Sequence, residues 1–166
     1  MNRQLKAGSV LLCENVIRSI DGKVSAIGMF PQTIRLPTRP ALILGTVYVN
    51  FIAGVGRPCM LEFTVKAPKS SGSGTAEIDA DTVNFDIEAP LMGFIEHPDE
   101  LHFMWRVDEG EWQTAASWDI RFEEDARVLE DDEIAKLRAV YRARGAASDL
   151  LMEARGQTLD AFGHAN

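Results

Sequence analysis

Between Thr82 and Ala89 apolar and polar residues alternate without interruption: Val83, Phe85, Ile87 and Ala89 against Thr82, Asn84, Asp86 and Glu88. An extended strand sends successive side chains to opposite faces, so this segment has one dry face and one wet face; wound as a helix it would have neither. The pattern returns three times. From Pro58 to Ala67, Cys59, Leu61, Phe63 and Val65 alternate with Met60, Glu62, Thr64 and Lys66. From Leu101 to Val107, Leu101, Phe103, Trp105 and Val107 alternate with His102, Met104 and Arg106. From Trp112 to Phe122, Trp112, Thr114, Ala116, Trp118, Ile120 and Phe122 share the face opposite Gln113, Ser117, Asp119 and Arg121. One-sided strands of this kind belong to antiparallel sheets with a solvated side.

Other segments extend the series. Leu42 to Ala53 reads as a long strand with Ile43, Val47, Val49 and Phe51 on its drier face. Ser9–Glu14 and Lys23–Phe30 read as a pair joined around Asp21-Gly22, a turn dipeptide. Thr33–Leu36, between Pro31 and Pro37, suits an edge or a connector. Loops are expected at Pro37–Pro40, Gly54–Pro58, Pro68–Gly74, Pro90–Pro98 and Asp108–Glu111. The expected fold is mainly β: an antiparallel two-layer β-sandwich, or a barrel-like closure, of about seven or eight strands over residues 1–123.

After Phe122 the period changes. Glu123-Glu124-Asp125 and Glu130-Asp131-Asp132-Glu133 are acidic, and Ile134, Leu137, Val140 and Tyr141 then recur at helical spacing. Arg138, Arg142 and Arg144 follow, an order that complements a helix dipole, and Gly145 is a candidate stop. Ser148 could cap a second short helix over Asp149–Arg155, with the last ten residues frayed. Residues 124–166 are therefore expected to form an amphipathic helical extension rather than an independent domain. Its apolar stripe has to be covered, either by its own sandwich or by a partner.

Charge narrows the partners. The 166 residues carry a net charge of −8, and phosphate binding needs clustered Lys and Arg, so no nucleic acid is expected. Residues 1–60 hold seven basic against two acidic residues, whereas residues 61–118 hold three against twelve. The two halves can neutralise each other within one fold, or meet between copies. No apolar run approaches the ~20 residues that span a bilayer. Arg3 and Lys6 before the six-residue run Ala7–Leu12 fall short of a signal segment, so a cytoplasmic location is expected and no membrane partner. Cys13 and Cys59 lie in apolar runs and are expected as buried thiols, with a bridge between them left open.

The chemistry-bearing residues do not converge. His97 and His102 lie near Glu96, Asp99 and Glu100, but in a loop and on a wet strand face, without a third nitrogen or sulfur ligand nearby. Gly54-Val55-Gly56 lacks the strand–turn–helix setting of a dinucleotide-binding turn. The acidic pairs Asp79/Asp81 and Asp86/Glu88 fall on solvated faces, where a carboxylate keeps an ordinary pKa. Trp105, Trp112 and Trp118 all sit on dry faces and are expected in the core. No cofactor, metal or nucleophilic-catalysis pattern is expected.

The opening carries a family-like pattern. Leu11-Leu12-Cys13-Glu14, then Val16 and Arg18, then Gly22-Lys23-Val24-Ser25-Ala26-Ile27-Gly28-Met29-Phe30, resembles the start of an uncharacterised family of small bacterial proteins. A late hairpin, Val107-Asp108-Glu109-Gly110-Glu111-Trp112, adds to the resemblance, which covers roughly residues 8–123 and is specific in the first thirty. It implies a compact β-sandwich-like fold and no known activity. It marks Glu14, Arg18 and Lys23 as polar positions, whose plainer role is a turn-closing ion pair or hydrogen bonds to loop backbone. The functional expectation is a non-catalytic module that binds a protein partner or itself through Ile134, Leu137, Val140 and Tyr141. The alternative is a small-molecule or carbohydrate-binding sandwich, and an enzyme of unrecognised type comes third.

Overall fold

A computed structural model describes residues 5–21, 23–52, 56–67 and 70–162. Among them nine strands precede one helix: β1 (Lys6–Arg18), β2 (Val24–Met29), β3 (Thr33–Arg39), β4 (Ala41–Ile52), β5 (Cys59–Ala67), β6 (Ser70–Ile78), β7 (Asn84–Ile95), β8 (Asp99–Val107), β9 (Gln113–Val128) and α1 (Asp131–Phe162). The strands form a four-stranded sheet, β2-β1-β4-β7, and a five-stranded sheet, β3-β9-β8-β5-β6. Both sheets keep open edges, so the fold is a two-layer sandwich and not a barrel. Every neighbouring pair is antiparallel except β3 with β9, which run parallel.

Alternation places the core as the sequence predicts. Ile43, Val47, Val49 and Phe51 of β4 are buried, as are Leu61 and Val65 of β5 and Leu101 and Phe103 of β8. The layers meet where Phe51 stacks on Phe85 at 5.2 Å and receives Trp105 edge-on at 5.4 Å. Phe63 is half-buried against the same core. Cys13 and Cys59 are both buried and unbridged, and burial raises the pKa of each thiol. Val83, expected on the dry face, precedes the start of β7 and is exposed.

The expected loops are shorter than composition suggested. Ser70 to Gly74 belongs to β6, which pairs with β5 along its whole length, while Pro68 and Lys69 lie outside the described residues. Gly74 stands opposite Phe63, whose ring atom Cζ lies 2.5 Å from where a Gly74 Cβ would be. An aromatic ring that covers a cross-strand glycine restores the packing such a strand lacks. Pro37 and Pro90 likewise sit inside β3 and β7, both edge strands, where a missing N–H costs no ladder bond. Gly22 of the first turn and Gly54-Val55 also fall outside the described residues, and a strand, β5, follows Gly56.

Two irregularities in β9 re-aim its side chains. Phe103 faces Ala116 but Met104 faces Thr114, so Ala115 is an extra residue. The bulge reverses the alternation before it: Gln113 pairs with inward Trp105, and Trp112 turns outward. This corrects the expectation of three core tryptophans. Trp105 and Trp118 are buried, whereas Trp112 is 40% exposed with the Arg106 guanidinium 4.7 Å above its ring. Further on, Leu36 faces Phe122 and Thr38 faces Arg127, so Glu123 to Ala126 bow out opposite Pro37 and the strand continues to Val128.

The chain divides into two compact units, Met1–Val128 and Leu129–Asn166. α1 opens with Asp131, Asp132 and Glu133 in its first turn, and the Glu133 carboxylate accepts the Glu130 N–H at 3.1 Å. That is half of a capping box, with negative charge at the positive end of the helix. The helix neither stops at Gly145 nor restarts at Ser148; it runs unbroken to Phe162, six residues into the stretch expected to fray. A single glycine costs a helix about 1 kcal/mol, and Ala143, Ala146 and Ala147 around it are strong helix formers.

Candidate functional site

Glu14, Arg18 and Lys23 do not meet. Lys23 closes its own turn, with Nζ 2.8 Å from Asp21 Oδ2, and its carbonyl accepts the Ser19 N–H at 3.0 Å. The Ser19 hydroxyl also donates to Asp21. Glu14 lies across the strand from Gly28, its Cδ 2.6 Å from where a Gly28 Cβ would be. Gly28 has φ of +65°, a conformation that only a residue without a Cβ holds cheaply, and here a Cβ would also strike Glu14. These two residues hold local geometry.

Arg18 has a longer reach. β1 pairs with β4 only as far as Cys13 with Thr46; beyond that, residues 13–18 pair with 24–29 alone as a two-stranded ribbon. Leu11 lies opposite Tyr48, and Tyr48 opposite Glu88, yet Arg18 binds Glu88 through Nε at 2.8 Å and Asp86 through Nη1 at 3.3 Å. Seven extended residues span about 23 Å, more than an arginine can bridge. The ribbon therefore folds back over the outer face of β4 and β7.

Asp86 is the centre of that contact. Its Oδ1 accepts the Asn50 side-chain N–H at 2.8 Å, its Oδ2 faces Arg18, and the Tyr48 hydroxyl donates to it as well. Partial burial would raise the Asp86 pKa, but the hydrogen bonds from Asn50, Tyr48 and Arg18 outweigh it and hold the carboxyl below its ordinary value. Tyr48 is pushed up, first by burial and then by its bond to Asp86. A carboxylate held ionised with both oxygens occupied does not exchange protons near neutral pH. It works as a latch for the ribbon. Sequence reading assigned Asp86 and Glu88 to solvent and missed the latch, because the partners lie 68 and 70 residues away and no local pattern links them.

A second cluster has the same character. Asp108 accepts the Met60 N–H at 2.8 Å and pairs with Arg57 at 2.6 Å, and the Met60 N–H bond is the main reason its pKa is lowered. It starts the β8–β9 turn, in which Asp108 and Glu109 both take positive φ. Arg18 and Arg57 belong to the basic opening of the chain and Asp86, Glu88 and Asp108 to its acidic middle. The opposite charges thus meet within one unit.

The remaining features are sparse. His102 Nε2 lies 3.3 Å from Glu100, and His97 is exposed in the turn after β7. Among the described residues no group of three or more His, Cys, Asp or Glu is placed to hold a metal ion, and no helix is long and apolar enough to cross a membrane. A cavity of about 340 Å³ opens between the start of β1, Leu5 to Ala7, and the bulged stretch Gln113–Ala115, with Trp105 as a wall. Among the described residues its lining offers one cation, Lys6, but neither a carboxylate nor an imidazole nor a thiol. Such a lining can hold a ligand, and its described residues include no nucleophile–base pair.

The ribbon presents a different surface. Ile17 faces Ser25, and Asn15 faces Ile27, so Ile17, Ile27 and Met29 share one side of it. They are 48%, 46% and 64% exposed, whereas Val16, Val24 and Ala26 on the other side are half-buried. On α1, Ile134, Leu137 and Tyr141 are half-buried and Val140 is 45% exposed. No protein-family model matches the chain and no curated protein is similar to it, so the functional reading rests on these residues and their geometry.

Proposed function

We propose that the chain is a non-catalytic interaction module that binds another protein, or a second copy of itself, through α1. What carries this reading is the helix. Ile134, Leu137, Val140 and Tyr141 form a stripe over its first three turns, and none of the four is fully buried. A helix of this length in water takes most of its stability from packing one face against something. The reading includes a cytoplasmic location, in keeping with two thiols left unbridged, and a bacterial source, from the resemblance of the opening pattern.

The test is the mass of the full-length chain in sedimentation velocity at about 100 µM, a concentration that detects dissociation constants down to the weak micromolar range. Self-association through α1 predicts that Val140→Glu and Leu137→Glu shift the chain toward monomer. Wild type and both variants running at the same mass would exclude it.

The cavity favours a second reading, a small-molecule or carbohydrate-binding sandwich. Its volume is at the lower end for ligand pockets. Trp105 lines it, so a bound ligand is expected to change tryptophan emission, and Ala7→Trp should abolish that change. A ligand screen that leaves the emission untouched removes this reading.

A further inference from the structure

We infer that the β1–β2 ribbon, residues 14–29, is a hinged strap that swings as a unit. Closed, it lies over the outer face of β4 and β7 with Arg18 as its catch; open, it bares that face. The device involves neither α1 nor the cavity.

The ribbon can move without disturbing the core. Among its described residues from Glu14 to Met29 none is buried; Val16, Val24 and Ala26 are half-buried and the rest are exposed. None of those three belongs to the core or packs against it. Detaching the ribbon therefore gives up little of the apolar burial that holds the sandwich together. A segment with so few buried contacts opens at a small fraction of the global unfolding free energy. Its own backbone bonds travel with it, because past Cys13 the register joins β1 to β2 and to no other strand.

The base of the ribbon is fixed, which places the hinge. Cys13 is fully buried, Phe30 is half-buried against the core, and the Phe30 N–H donates to the Leu12 carbonyl at 2.9 Å. β4 passes close beneath: a Cβ on Gly45 would stand 2.8 Å from the Cys13 carbonyl oxygen and 3.4 Å from the Phe30 ring. The bend falls just beyond these anchors, at Glu14 on one strand and Gly28–Met29 on the other. Hinges need a few residues that absorb a change in backbone angle, and Gly28 is the residue type freest to do so.

The catch is one side chain. Among the described residues, the hydrogen bonds that tie the ribbon to the sheet beneath it all come from Arg18, to Glu88 at 2.8 Å and Asp86 at 3.3 Å. The receiving side is rigid. β4 and β7 pair without a break from Ala41–Ile95 to Ile52–Asn84, and Asn50 holds Asp86 in place. The Arg18 side chain is 46% exposed, so water and salt compete for both contacts. Opening uncovers Tyr48, Asn50 and Asp86 together with Val16, Val24 and Ala26, a surface that the closed chain withholds from any partner.

The distance between two spin labels decides the matter. The labels are placed at Ile17→Cys, on the exposed side of the ribbon, and Lys66→Cys, exposed on β5, while the native Cys13 and Cys59 are buried. Labelled chain is diluted in excess unlabelled protein, so that distances within one chain are read. One dominant distance is expected at low salt, with a second population growing in about 1 M NaCl. Arg18→Ala should raise the ratio of open to closed chains about tenfold or more at low salt, and added salt should then change it little. Asp86→Asn should act in the same direction, and circular dichroism checks that both variants fold. Hydrogen exchange of the paired β1–β2 amides should stay as slow in Arg18→Ala as in the wild type. Folded variants that keep the wild-type distances would overturn the strap. So would a loss of amide protection along the ribbon, since the segment would then unravel instead of swinging.

Discussion

At the scale of single residues, Asp86 explains how a ribbon that leaves its sheet is kept in place. Its carboxylate accepts bonds from Asn50 and Tyr48 and faces Arg18, and only 20% of its side chain is exposed. Glu88, the second partner of Arg18, is more exposed, and pairs of that kind contribute under about 1 kcal/mol. Asp86→Asn keeps the shape but removes the charge, and should cost about 1–2 kcal/mol at pH 7. The pH dependence has a definite sign. The Asp86 pKa in the folded protein lies below its ordinary value of about 3.9, so the unfolded chain binds the proton more readily. Its stabilising effect is complete above that value and is lost as pH falls through the folded one. Urea midpoints of wild type and Asp86→Asn should therefore differ at neutral pH, and the gap should narrow as pH falls below the ordinary carboxylate value, whereas a gap that does not change with pH would exclude the latch. In the sequence, Asp86 and Glu88 are legible as polar positions on a wet strand face, and Arg18 only as a polar position of the opening pattern. That they meet depends on a fold-back of β1 that no local periodicity encodes.

At the scale of elements, period-two patterning recovered the strands wherever one face is buried over several residues. β4, β5 and β8 show inward faces where alternation puts them. It failed where an element takes its order from a neighbour. β6 is rich in serine and glycine and exists because β5 supplies the partner backbone and Phe63 covers Gly74. Trp112 was misplaced because the extra residue Ala115 inverts the register, and one inserted residue leaves no mark on composition. Glycine misled in the helix too. As a C-terminal cap, Gly145 would sit at positive φ, and alanine there would be costly; within a continuous helix, alanine is the better residue. Gly145→Ala should accordingly raise helix content and stabilise α1 by up to about 1 kcal/mol, visible as a stronger 222 nm signal and a higher melting temperature at that wavelength. A loss of ellipticity on this substitution would mean that two helices meet at Gly145.

At the scale of the whole molecule, the sandwich is built from strands that change sheet often. β1–β2, β5–β6 and β8–β9 are local hairpins, and the strands between them cross from one layer to the other. The most distant join is β3 with β9, where Gln32 donates to the Ser117 carbonyl across 85 residues of chain. Its parallel sense was hidden in the sequence, since Thr33–Leu36 reads only as an edge and nothing nearby names its partner. Distance has a kinetic consequence. Closing a loop of that length rather than one of about ten residues costs roughly 2 kcal/mol more chain entropy. β3 should therefore dock after the hairpins have formed and stabilise the native state more than the folding transition state. Ile34, buried on β3 opposite Ile120, is the probe. Ile34→Ala removes a core side chain at a cost of about 2–5 kcal/mol. With β3 undocked in the transition state, that cost falls on unfolding, which should accelerate by about thirtyfold or more while refolding changes by less than about twofold. Phe103→Leu, within the β8–β9 hairpin, should instead slow refolding. Stopped-flow fluorescence reads both through the buried Trp105 and Trp118, at concentrations low enough to keep the chain monomeric. If Ile34→Ala slows refolding more than Phe103→Leu does, β3 belongs to the nucleus, and the long-range parallel pair forms before the local hairpin that gives it an edge to join.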